Sequence, residues 1–328
     1  MILVTGGAGF IGSNLLAGLE DLSIGPIVVC DYKTAGDNCR NIEKRTILEF
    51  IEPRELFSFL RNYRHKIEVI FHLGAISSTM ETNAHVFAEN NYKLSLKLWN
   101  WCSESQVRFI YASSAATYGD GSKGFDDDGS LSSLSAFKPL NSYGRSKHLF
   151  DRRTSLLLEK GLDRPPQWSG LKFFNVYGPN EYHKGEQKSV IATNYRKVAD
   201  GGAVQLFKSY DKSYRDGGQL RDFIWVGDCV RVMLWLLKHE HVSGLFNVGT
   251  GDARSFADLA NALFSALNLP PKVEYIEMPE SIRERYQYFT QARMERLRTA
   301  GFHAPFTSLE EGVACYVQQY LSQLDPYR

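Results

Sequence analysis

The sequence predicts an α/β fold, in which helices cover both faces of a doubly wound parallel sheet and a smaller α/β part follows toward the carboxyl end. Short apolar runs alternate with longer helical patterns from residue 1 onward. The apolar runs show no polar face, as expected for strands covered on both sides. A glycine-rich turn joins the first apolar run to the first helical pattern.

The individual elements follow this alternation. Strands are predicted at residues 1–5, 27–31, 69–73, 108–113 and 171–174, and helices at 10–21, 86–103 and 142–159. After residue 175 glycine and proline become more frequent, and a long irregular stretch covers 209–220. Sheet and helix patterns return at 223–238 and 245–248, so we predict that the chain crosses back to the first sheet.

The carboxy-terminal third contains two further helix signals. Ser255 with Asp258, and Ser308 with Glu311, have the spacing of capping boxes, and each predicts the start of an amphipathic helix. We therefore predict a first domain at 1–174, with return segments near 222–248, and a second domain at 175–328.

The composition excludes several classes of protein. Lys and Arg total 38 against 37 Asp and Glu, a balance that argues against a nucleic-acid partner or a polybasic membrane surface. The 43% hydrophobic residues exclude a disordered chain, and no apolar run reaches the roughly 20 residues of a membrane span. Five scattered cysteines predict reduced thiols and a cytoplasmic protein. We read the acidic run 126–128 as a solvated loop and predict no metal site.

The glycine-rich turn carries the first chemical signal. Gly6, Gly9 and Gly12 permit a tight turn that brings backbone N–H groups and a helix amino terminus close to a pyrophosphate. Asp31 ends the second strand, where its carboxylate can accept hydrogen bonds from a ribose. The first domain is therefore predicted to be a Rossmann-type domain that binds NAD(P).

The sequence leaves the choice between NAD and NADP open. The carboxylate of Asp31 repels a 2′-phosphate and favours NAD. Lys33 or Arg40 could instead pair with that phosphate if the loop after Asp31 folds back, which would favour NADP.

A proton relay is predicted on the helix at 142–159. Tyr143 and Lys147 are four residues apart and therefore share one face of that helix. Shifting a phenol from a pKa near ~10 to ~7 takes about 4 kcal/mol of preferential stabilisation of the phenolate, which Lys147 and the positive ring of the cofactor can contribute. Ser114, just after the strand at 108–113, can hydrogen-bond the same substrate hydroxyl.

With these residues the sequence resembles the extended short-chain dehydrogenases/reductases, NAD(P)-dependent enzymes that modify nucleotide sugars. Further marks of this family are FNVYGP at 174–179, RDFIWV at 221–226 and FNVGTG at 246–251. Three stretches, at 112–119, 175–185 and 285–292, resemble the ADP-glycero-manno-heptose 6-epimerases within it.

The resemblance implies specific site residues. Tyr143 and Lys184 would be the two acid/base residues, one for each face of the reacting carbon, assisted by Lys147 and Ser114. Cofactor contacts are implied at Gly6, Gly9, Phe10, Ile11, Gly12, Asp31, Tyr32, Leu73, Gly74, Ala75, Ile76, Ser77, Asn90, Lys147 and Val176. Substrate contacts are implied at Ser114, Asn175, Phe207, Arg221 and Tyr286. Arg221 would clamp a diphosphate, unless it forms a buried ion pair with Asp222 or a neighbour.

The implied activity is that of an isomerase. It would interconvert ADP-D-glycero-β-D-manno-heptose and its L-glycero epimer by oxidation and re-reduction at C6, with a tightly bound NADP or NAD, for the heptose of the lipopolysaccharide core. The resemblance also implies a cytoplasmic homo-oligomer. The alternatives are a C4 epimerase of the same superfamily and a non-catalytic dinucleotide-binding sensor. A dehydratase is less favoured because Ala115 and Ala116 stand where those enzymes carry an acidic pair.

Overall fold

A computed structural model describes residues 1–33, 37–77, 83–283 and 286–328. Its strands are β1 Ile2–Thr5, β2 Ile27–Cys30, β3 Glu49–Ile51, β4 Val69–His72, β5 Arg108–Ser114, β6 Trp168–Phe173, β7 Asn175–Tyr177, β8 Val204–Phe207, β9 Leu220–Trp225, β10 Gly244–Val248, β11 Ala253–Ser255 and β12 Val273–Ile276. Its α-helices are α1 Phe10–Asp21, α2 Asp37–Arg40, α3 Leu56–Asn62, α4 Ala84–Phe87, α5 Leu94–Ser105, α6 Leu131–Ala136, α7 Ser142–Glu159, α8 Val190–Ala199, α9 Val226–Lys238, α10 Phe256–Ala266, α11 Glu280–Arg283, α12 Glu295–Thr299 and α13 Leu309–Tyr316. None of the helices in these ranges is long and apolar enough to cross a membrane.

The main sheet has seven strands in the order β10-β6-β5-β4-β1-β2-β3, and every pair in it is parallel. All residues of β1, β2, β4, β6 and β10 are buried, because helices cover both faces. The direction of winding reverses between β1 and β4, which opens a crevice at the carboxyl ends of these strands. The predicted fold class is confirmed.

Late parts of the chain complete this sheet. Strand β10 pairs with β6, so that Phe246 lies opposite Leu171. Helix α9 packs on α1 at Gly18, where an added Cβ would lie 2.5 Å from Cγ1 of Val230. The boundary between two domains at residue 174 stays a prediction.

The remaining elements surround a second hydrophobic core. Strands β7, β9 and β11 form a three-stranded sheet, β8 and β12 form a pair, and α8, α10 and α13 pack on them. Both predicted capping boxes are confirmed. The Ser255 hydroxyl accepts from the Asp258 N–H, and the Ser308 hydroxyl accepts from the Glu311 N–H, at the starts of α10 and α13.

Three local predictions need correction. The predicted helix at 86–103 is interrupted by a π-helical turn, Ala88–Lys93, between α4 and α5. Strand β3 was not predicted because it has only three residues at the edge of the sheet, and the exposed Glu49 interrupts the apolar residues around it. The acidic run at 126–128 is not wholly solvated. The Asp127 carboxylate is buried and accepts a hydrogen bond from the Asn247 N–H, and burial raises its pKa to about 6.

A buried ion pair joins the helix layer to the centre of the main sheet. Nζ of Lys172 on β6 lies 3.0 Å from Oδ2 of Asp151 on α7, and both side chains are fully buried. Asp151 also accepts hydrogen bonds from Ser113 Oγ and Tyr111 OH on β5. The carboxylate therefore fixes α7 against two adjacent strands.

We predict that Lys172→Met lowers the free energy of unfolding by about 3–5 kcal/mol, because it leaves the Asp151 carboxylate buried without its cation. The double variant with Asp151→Leu should recover much of the loss, since no buried charge then remains. Urea unfolding followed by circular dichroism measures both. The matched control is Arg293→Gln, which breaks the exposed ion pair with Asp126 and should leave the midpoint unchanged. Equal destabilisation by Lys172→Met and Arg293→Gln would contradict this account.

Candidate active site

A cleft of about 840 Å³ opens at the crevice of the main sheet, along the carboxyl ends of β1, β2, β4 and β5. It contains every residue implied for the cofactor. These are Gly6, Gly9, Phe10, Ile11, Gly12, Asp31, Tyr32, Leu73, Gly74, Ala75, Ile76, Ser77, Asn90, Lys147 and Val176. Residues that are widely separated in the sequence thus converge on one surface, although their roles toward a cofactor stay a prediction.

The glycine turn leaves no room for side chains. Gly6 has a φ of +71°, and an added Cβ would lie 2.4 Å from the backbone nitrogen of Gly74. At Gly12 an added Cβ would lie 2.1 Å from the carbonyl oxygen of Gly6. Bare backbone at the start of α1 therefore faces the cleft, and this arrangement fits a pyrophosphate group.

Asp31 is held rigidly at the edge of this turn. Its Oδ2 accepts a hydrogen bond from the Ala8 N–H at 2.9 Å, and its Oδ1 accepts one from the Tyr32 N–H at 2.8 Å. Burial raises the pKa of Asp31, whereas the two backbone hydrogen bonds act to lower it. The carboxylate stands in the lining of the cleft, where a ribose hydroxyl can donate to it.

Neither basic residue predicted as a phosphate partner lines the cleft. Arg40 turns toward the end of the chain, with its guanidinium 4.2 Å from the ring centre of Tyr327. Lys33 is exposed and lies outside the lining, beside residues 34–36, which are outside the described ranges. Arg54 does line the cleft and follows β3, the strand that pairs with β2. Sequence reasoning missed it because β3 itself gave no signal.

The predicted proton relay is assembled on β5 and α7. Helix α7 begins after Asn141, whose side chain accepts a hydrogen bond from the Gly144 N–H, and this places Tyr143 in its first turn. Burial raises the pKa of Tyr143, and a side-chain hydrogen bond with Ser114 acts to lower it. Lys147 is buried one turn further on and donates to the Ala112 carbonyl at 2.8 Å. Burial lowers the pKa of Lys147 to about 8.

Lys184 approaches the same place from a different element. It belongs to a short 3₁₀ segment, Tyr182–Gln187, and its Nζ lies 5.2 Å from the ring centre of Phe10. Burial lowers the pKa of Lys184, and the negative charge of Glu181 acts in the opposite direction. An ammonium with a lowered pKa can give up and recover a proton closer to neutral pH.

A second pocket of about 430 Å³ adjoins the cleft. The two cavities share Ser77, Ser114, Tyr143, Phe173, Phe174, Val176 and Lys184. Asn175, predicted to contact substrate, lines only the second pocket and is exposed. All the predicted acid/base groups except Lys147 therefore stand at the junction of the two cavities.

Three predicted substrate residues cluster just beyond this second pocket. The guanidinium of Arg221 lies 5.2 Å from the ring centre of Tyr286, and the ring centres of Tyr286 and Phe207 are 6.4 Å apart. None of the three lines either cavity, but Arg221 also lies 5.7 Å from the ring of Phe256, which does line the pocket. Arg285, which opens one of the resembling stretches, lies outside the described residues.

The alternative of an ion pair between Arg221 and Asp222 is wrong. The Asp222 carboxylate instead accepts hydrogen bonds from the backbone N–H groups of Thr250, Gly251 and Ala292. Among the described residues, no carboxylate oxygen lies within ion-pair distance of Arg221, whose Nη1 donates to the Leu220 carbonyl. Burial lowers the pKa of the Arg221 guanidinium.

One important residue of the site was missed. Asn91 is fully buried, accepts from the Ile76 N–H at 2.8 Å and donates to the Ile76 carbonyl at 2.9 Å. It also donates to Ser146 Oγ, which in turn donates to the Tyr143 carbonyl. Asn91 therefore ties the wall of the cleft to the helix of the relay. Its position next to Asn90 gave no signal, because both are ordinary polar residues of a helix.

His72, next to the cleft, has a structural role. It lies between Thr5 Oγ1, at 2.6 Å from its Nδ1, and Ser95 Oγ, at 2.9 Å from its Nε2. Burial lowers the pKa of His72 to about 3. Within the described parts of the chain, no group of three or more His, Cys, Asp or Glu residues could hold a metal ion.

Comparison with known proteins decides the family. Residues 2–249 match the NAD dependent epimerase/dehydratase family. The chain belongs to this family. Membership supports a nicotinamide cofactor, and its placement at the glycine turn and Asp31 stays a prediction.

Two proteins are similar to this chain over their whole length. A protein of Nitratidesulfovibrio vulgaris (strain DP4) named ADP-L-glycero-D-manno-heptose-6-epimerase is 46% identical over 329 residues, with 100% of each chain covered. A protein of the same name from Fusobacterium nucleatum is 44% identical over 335 residues, again with 100% of each chain covered.

Solved structures of the family show the same fold. The ADP-L-glycero-D-manno-heptose-6-epimerase of Helicobacter pylori superimposes with a TM-score of 0.77 at 30% identity, covering 97% of this chain and 95% of the other. The UDP-glucose 4-epimerase of Thermus thermophilus, in complex with NAD, has a TM-score of 0.75 at 25% identity, covering 95% and 96%.

We predict that Gly12→Ala abolishes retention of the nicotinamide cofactor, because the new Cβ would collide with the Gly6 carbonyl and displace the turn. Nucleotide released from the purified, denatured protein can be measured by chromatography. The matched control is Gly161→Ala, outside the lining of the cleft, where a φ of +63° strains the backbone but an added Cβ meets nothing within 4 Å. It should lose some stability and keep its nucleotide. Full nucleotide content in Gly12→Ala would show that the turn does not hold the cofactor.

Proposed function

We propose that the protein is an ADP-heptose 6-epimerase, which interconverts ADP-D-glycero-β-D-manno-heptose and ADP-L-glycero-β-D-manno-heptose. The observation that carries this proposal is the presence of two ionisable groups, Tyr143 and Lys184, at the junction of the cofactor cleft and a second pocket. Inversion of a secondary alcohol requires a group that exchanges a proton with the hydroxyl oxygen in each of the two epimers. Tyr143 and Lys184, which come from different elements, can serve one epimer each. The names of the relatives at 44–46% identity supply the sugar.

The residues on β5 and α7 serve one epimer. Ser114 holds the substrate hydroxyl beside the Tyr143 phenol, and Tyr143 accepts its proton as a general base. The buried ammonium of Lys147 favours the phenolate form of Tyr143 by its positive charge. A nicotinamide held by the glycine turn and Asp31 would supply the hydride chemistry that oxidation and re-reduction at C6 require.

Lys184 serves the other epimer. Once the ketone has turned in the second pocket, its oxygen faces Lys184, which donates a proton to the new alkoxide. In the reverse direction neutral Lys184 accepts that proton. Burial supports this role because it brings the pKa of Lys184 down from that of an exposed lysine.

The nucleotide part of the substrate is assigned to the cluster around Arg221. A buried guanidinium without a carboxylate partner among the described residues matches the oxygens of a diphosphate. The rings of Tyr286 and Phe256 lie over this cation and shield its contact with phosphate from water. The ring of Phe207 packs edge-on against Tyr286. Asn175 at the second pocket would contact the sugar.

The first experiment is proton NMR of ADP-D-glycero-β-D-manno-heptose with the purified protein and no added nicotinamide. We expect the L-glycero epimer to appear, because the bound cofactor ends each turnover in its starting state. Tyr143→Phe and Lys184→Met should each reduce turnover at least about a hundredfold. The exposed Lys123→Met is the matched control and should retain full turnover.

Other outcomes of that experiment point elsewhere. An unchanged spectrum even with NAD and NADP supplied would remove the heptose assignment. Conversion of UDP-glucose at C4 under the same conditions would favour the C4 epimerase, an alternative supported by the similarity to the UDP-glucose 4-epimerase structure. A cellular function that survives Tyr143→Phe would favour a non-catalytic sensor.

We assign the tightly bound cofactor as NADP. Arg54 lines the cleft just after β3, the neighbour of β2, which ends before Asp31 and Tyr32. Its Nε lies 2.8 Å from Oε2 of Glu52 in an exposed ion pair, and a 2′-phosphate bound here would compete with Glu52 for the guanidinium. The charge of Asp31 repels a phosphate less strongly, because two backbone N–H groups donate to its carboxylate.

Mass spectrometry of the released nucleotide tests this assignment. We expect NADP from the unaltered protein, and Arg54→Gln should lower the ratio of NADP to NAD at least about tenfold through loss of a charge-assisted hydrogen bond. Lys123→Gln is the control for loss of an exposed cation. NAD alone in the unaltered protein would overturn the assignment.

We further propose a cytoplasmic homo-oligomer that supplies heptose for the lipopolysaccharide core. No disulfide joins the five cysteines, which supports a reducing compartment. The family resemblance supports the oligomer, and light scattering of the purified protein measures it.

A further inference from the structure

Residues 325–328 fold back onto the cofactor-binding half of the molecule. Nζ of Lys44 lies 2.8 Å from Oδ2 of Asp325 and donates to the Tyr327 carbonyl at 2.6 Å. The guanidinium of Arg40 stacks on the ring of Tyr327. The segment 325–328 is therefore anchored beside α2, which follows the loop after Asp31.

The same four residues also contact the segment that carries Lys184. The Tyr182 hydroxyl donates to the Pro326 carbonyl at 2.9 Å, and the ring of Tyr182 meets that of Tyr327 edge-on at 5.0 Å. The N–H of Arg328 donates to Oδ1 of Asn180 at 3.0 Å. Residues 325–328 thus bridge α2 and the segment 180–182.

Hydrogen bonds hold the start of the segment that carries Lys184, whereas the residue after Lys184 has open space around it. Buried Glu181 accepts hydrogen bonds from the N–H and the hydroxyl of Ser189. These bonds join the two ends of the loop 181–189. Gly185, directly after Lys184, has a φ of +56°, and an added Cβ would meet nothing within 4 Å. The backbone of Gly185 is not helical, so it divides the 3₁₀ segment Tyr182–Gln187 into short turns that have too few internal hydrogen bonds to keep their position alone. Its position must therefore come from tertiary contacts.

We propose that Tyr182 and residues 325–328 are positioning residues for Lys184, which hold its segment against the cofactor half of the cleft. This inference deepens the proposed function and rests on it, because it assigns what keeps the second acid/base group in place. Of the two acid/base residues, Tyr143 belongs to the 18-residue helix α7, whereas Lys184 does not belong to a long helix. Contacts from the distant segment 325–328 replace that support.

The surroundings of Lys184 give this proposal a specific readout. The negative charge of Glu181, three residues before Lys184, acts to raise the pKa of Lys184. The ring of Phe10, on α1, lies against the Lys184 ammonium. Burial at this place lowers the pKa of the ammonium. If the segment loosens, water reaches Lys184, and its pKa should rise toward that of an exposed lysine. A contact that serves only global stability would not move this value.

The first test does not depend on the substrate. The purified protein is acetylated with acetic anhydride over a range of pH, and the labelling of each lysine is measured by mass spectrometry. Removal of residues 325–328, Tyr182→Leu and Lys44→Met should each raise the pH of half-maximal labelling at Lys184 by about one unit. Lys123 serves as the internal reference, and Arg293→Gln, which breaks a remote exposed ion pair, is the matched control variant.

The second test uses turnover of the ADP-heptose. The same three variants should lower kcat about tenfold with little change in KM, and should move the limb of the pH–rate profile that belongs to Lys184 to higher pH. Tyr182→Phe keeps the ring contact with Tyr327 and loses the hydrogen bonds of the hydroxyl, including the one to the Pro326 carbonyl, so it should recover most of the kcat lost in Tyr182→Leu.

The outcomes separate the two proposals. Unchanged labelling of Lys184 and unchanged kcat in both Tyr182→Leu and Lys44→Met would overturn the positioning role, even if removal of residues 325–328 unfolds the chain. If the unaltered protein does not act on the ADP-heptose, the proposed function fails, and the labelling profile still decides whether these residues position Lys184.

Discussion

All seven strands of the main sheet run parallel, and the rest of the molecule depends on this constraint. Parallel strands present their carboxyl ends at one edge, so the segments that follow β1, β2, β4 and β5 must meet there. The order of the strands reverses between β1 and β4, which leaves a crevice that no crossover helix covers. The glycine turn, Asp31, the stretch 73–77 and Ser114 converge on one cleft for this reason.

Burial then sets the chemistry of that cleft. It lowers the pKa of Lys147 and of Lys184, and in each case one carboxylate opposes the effect, Asp151 for the first and Glu181 for the second. The two lysines differ in their support. Lys147 lies inside a long helix that a buried ion pair fastens to the sheet. Lys184 lies on a short segment whose place depends on contacts from elsewhere in the chain.

Buried polar side chains hold the irregular parts of the site where no strand or helix can. Asn91 binds both backbone groups of Ile76, and the carboxylate of Asp222 gathers N–H groups from Thr250, Gly251 and Ala292. Such groups are stable in the interior only because their hydrogen bonds are made. They give loops at the cleft the rigidity that catalysis requires of its surroundings.

The sequence by itself determined what depends on neighbours in the chain. Apolar runs defined the buried strands, helical spacing placed Tyr143 and Lys147 on one face, and the two capping boxes marked the starts of α10 and α13. The tertiary structure decided which distant residues meet. Packing of the chain placed Arg40 on Tyr327 and Arg54 in the lining of the cleft. It also buried Asp127 against Asn247 and brought Tyr182 to Pro326. The physical reason is that periodicity and capping arise within a few residues, whereas a partner more than a hundred positions away is selected only when the whole chain packs.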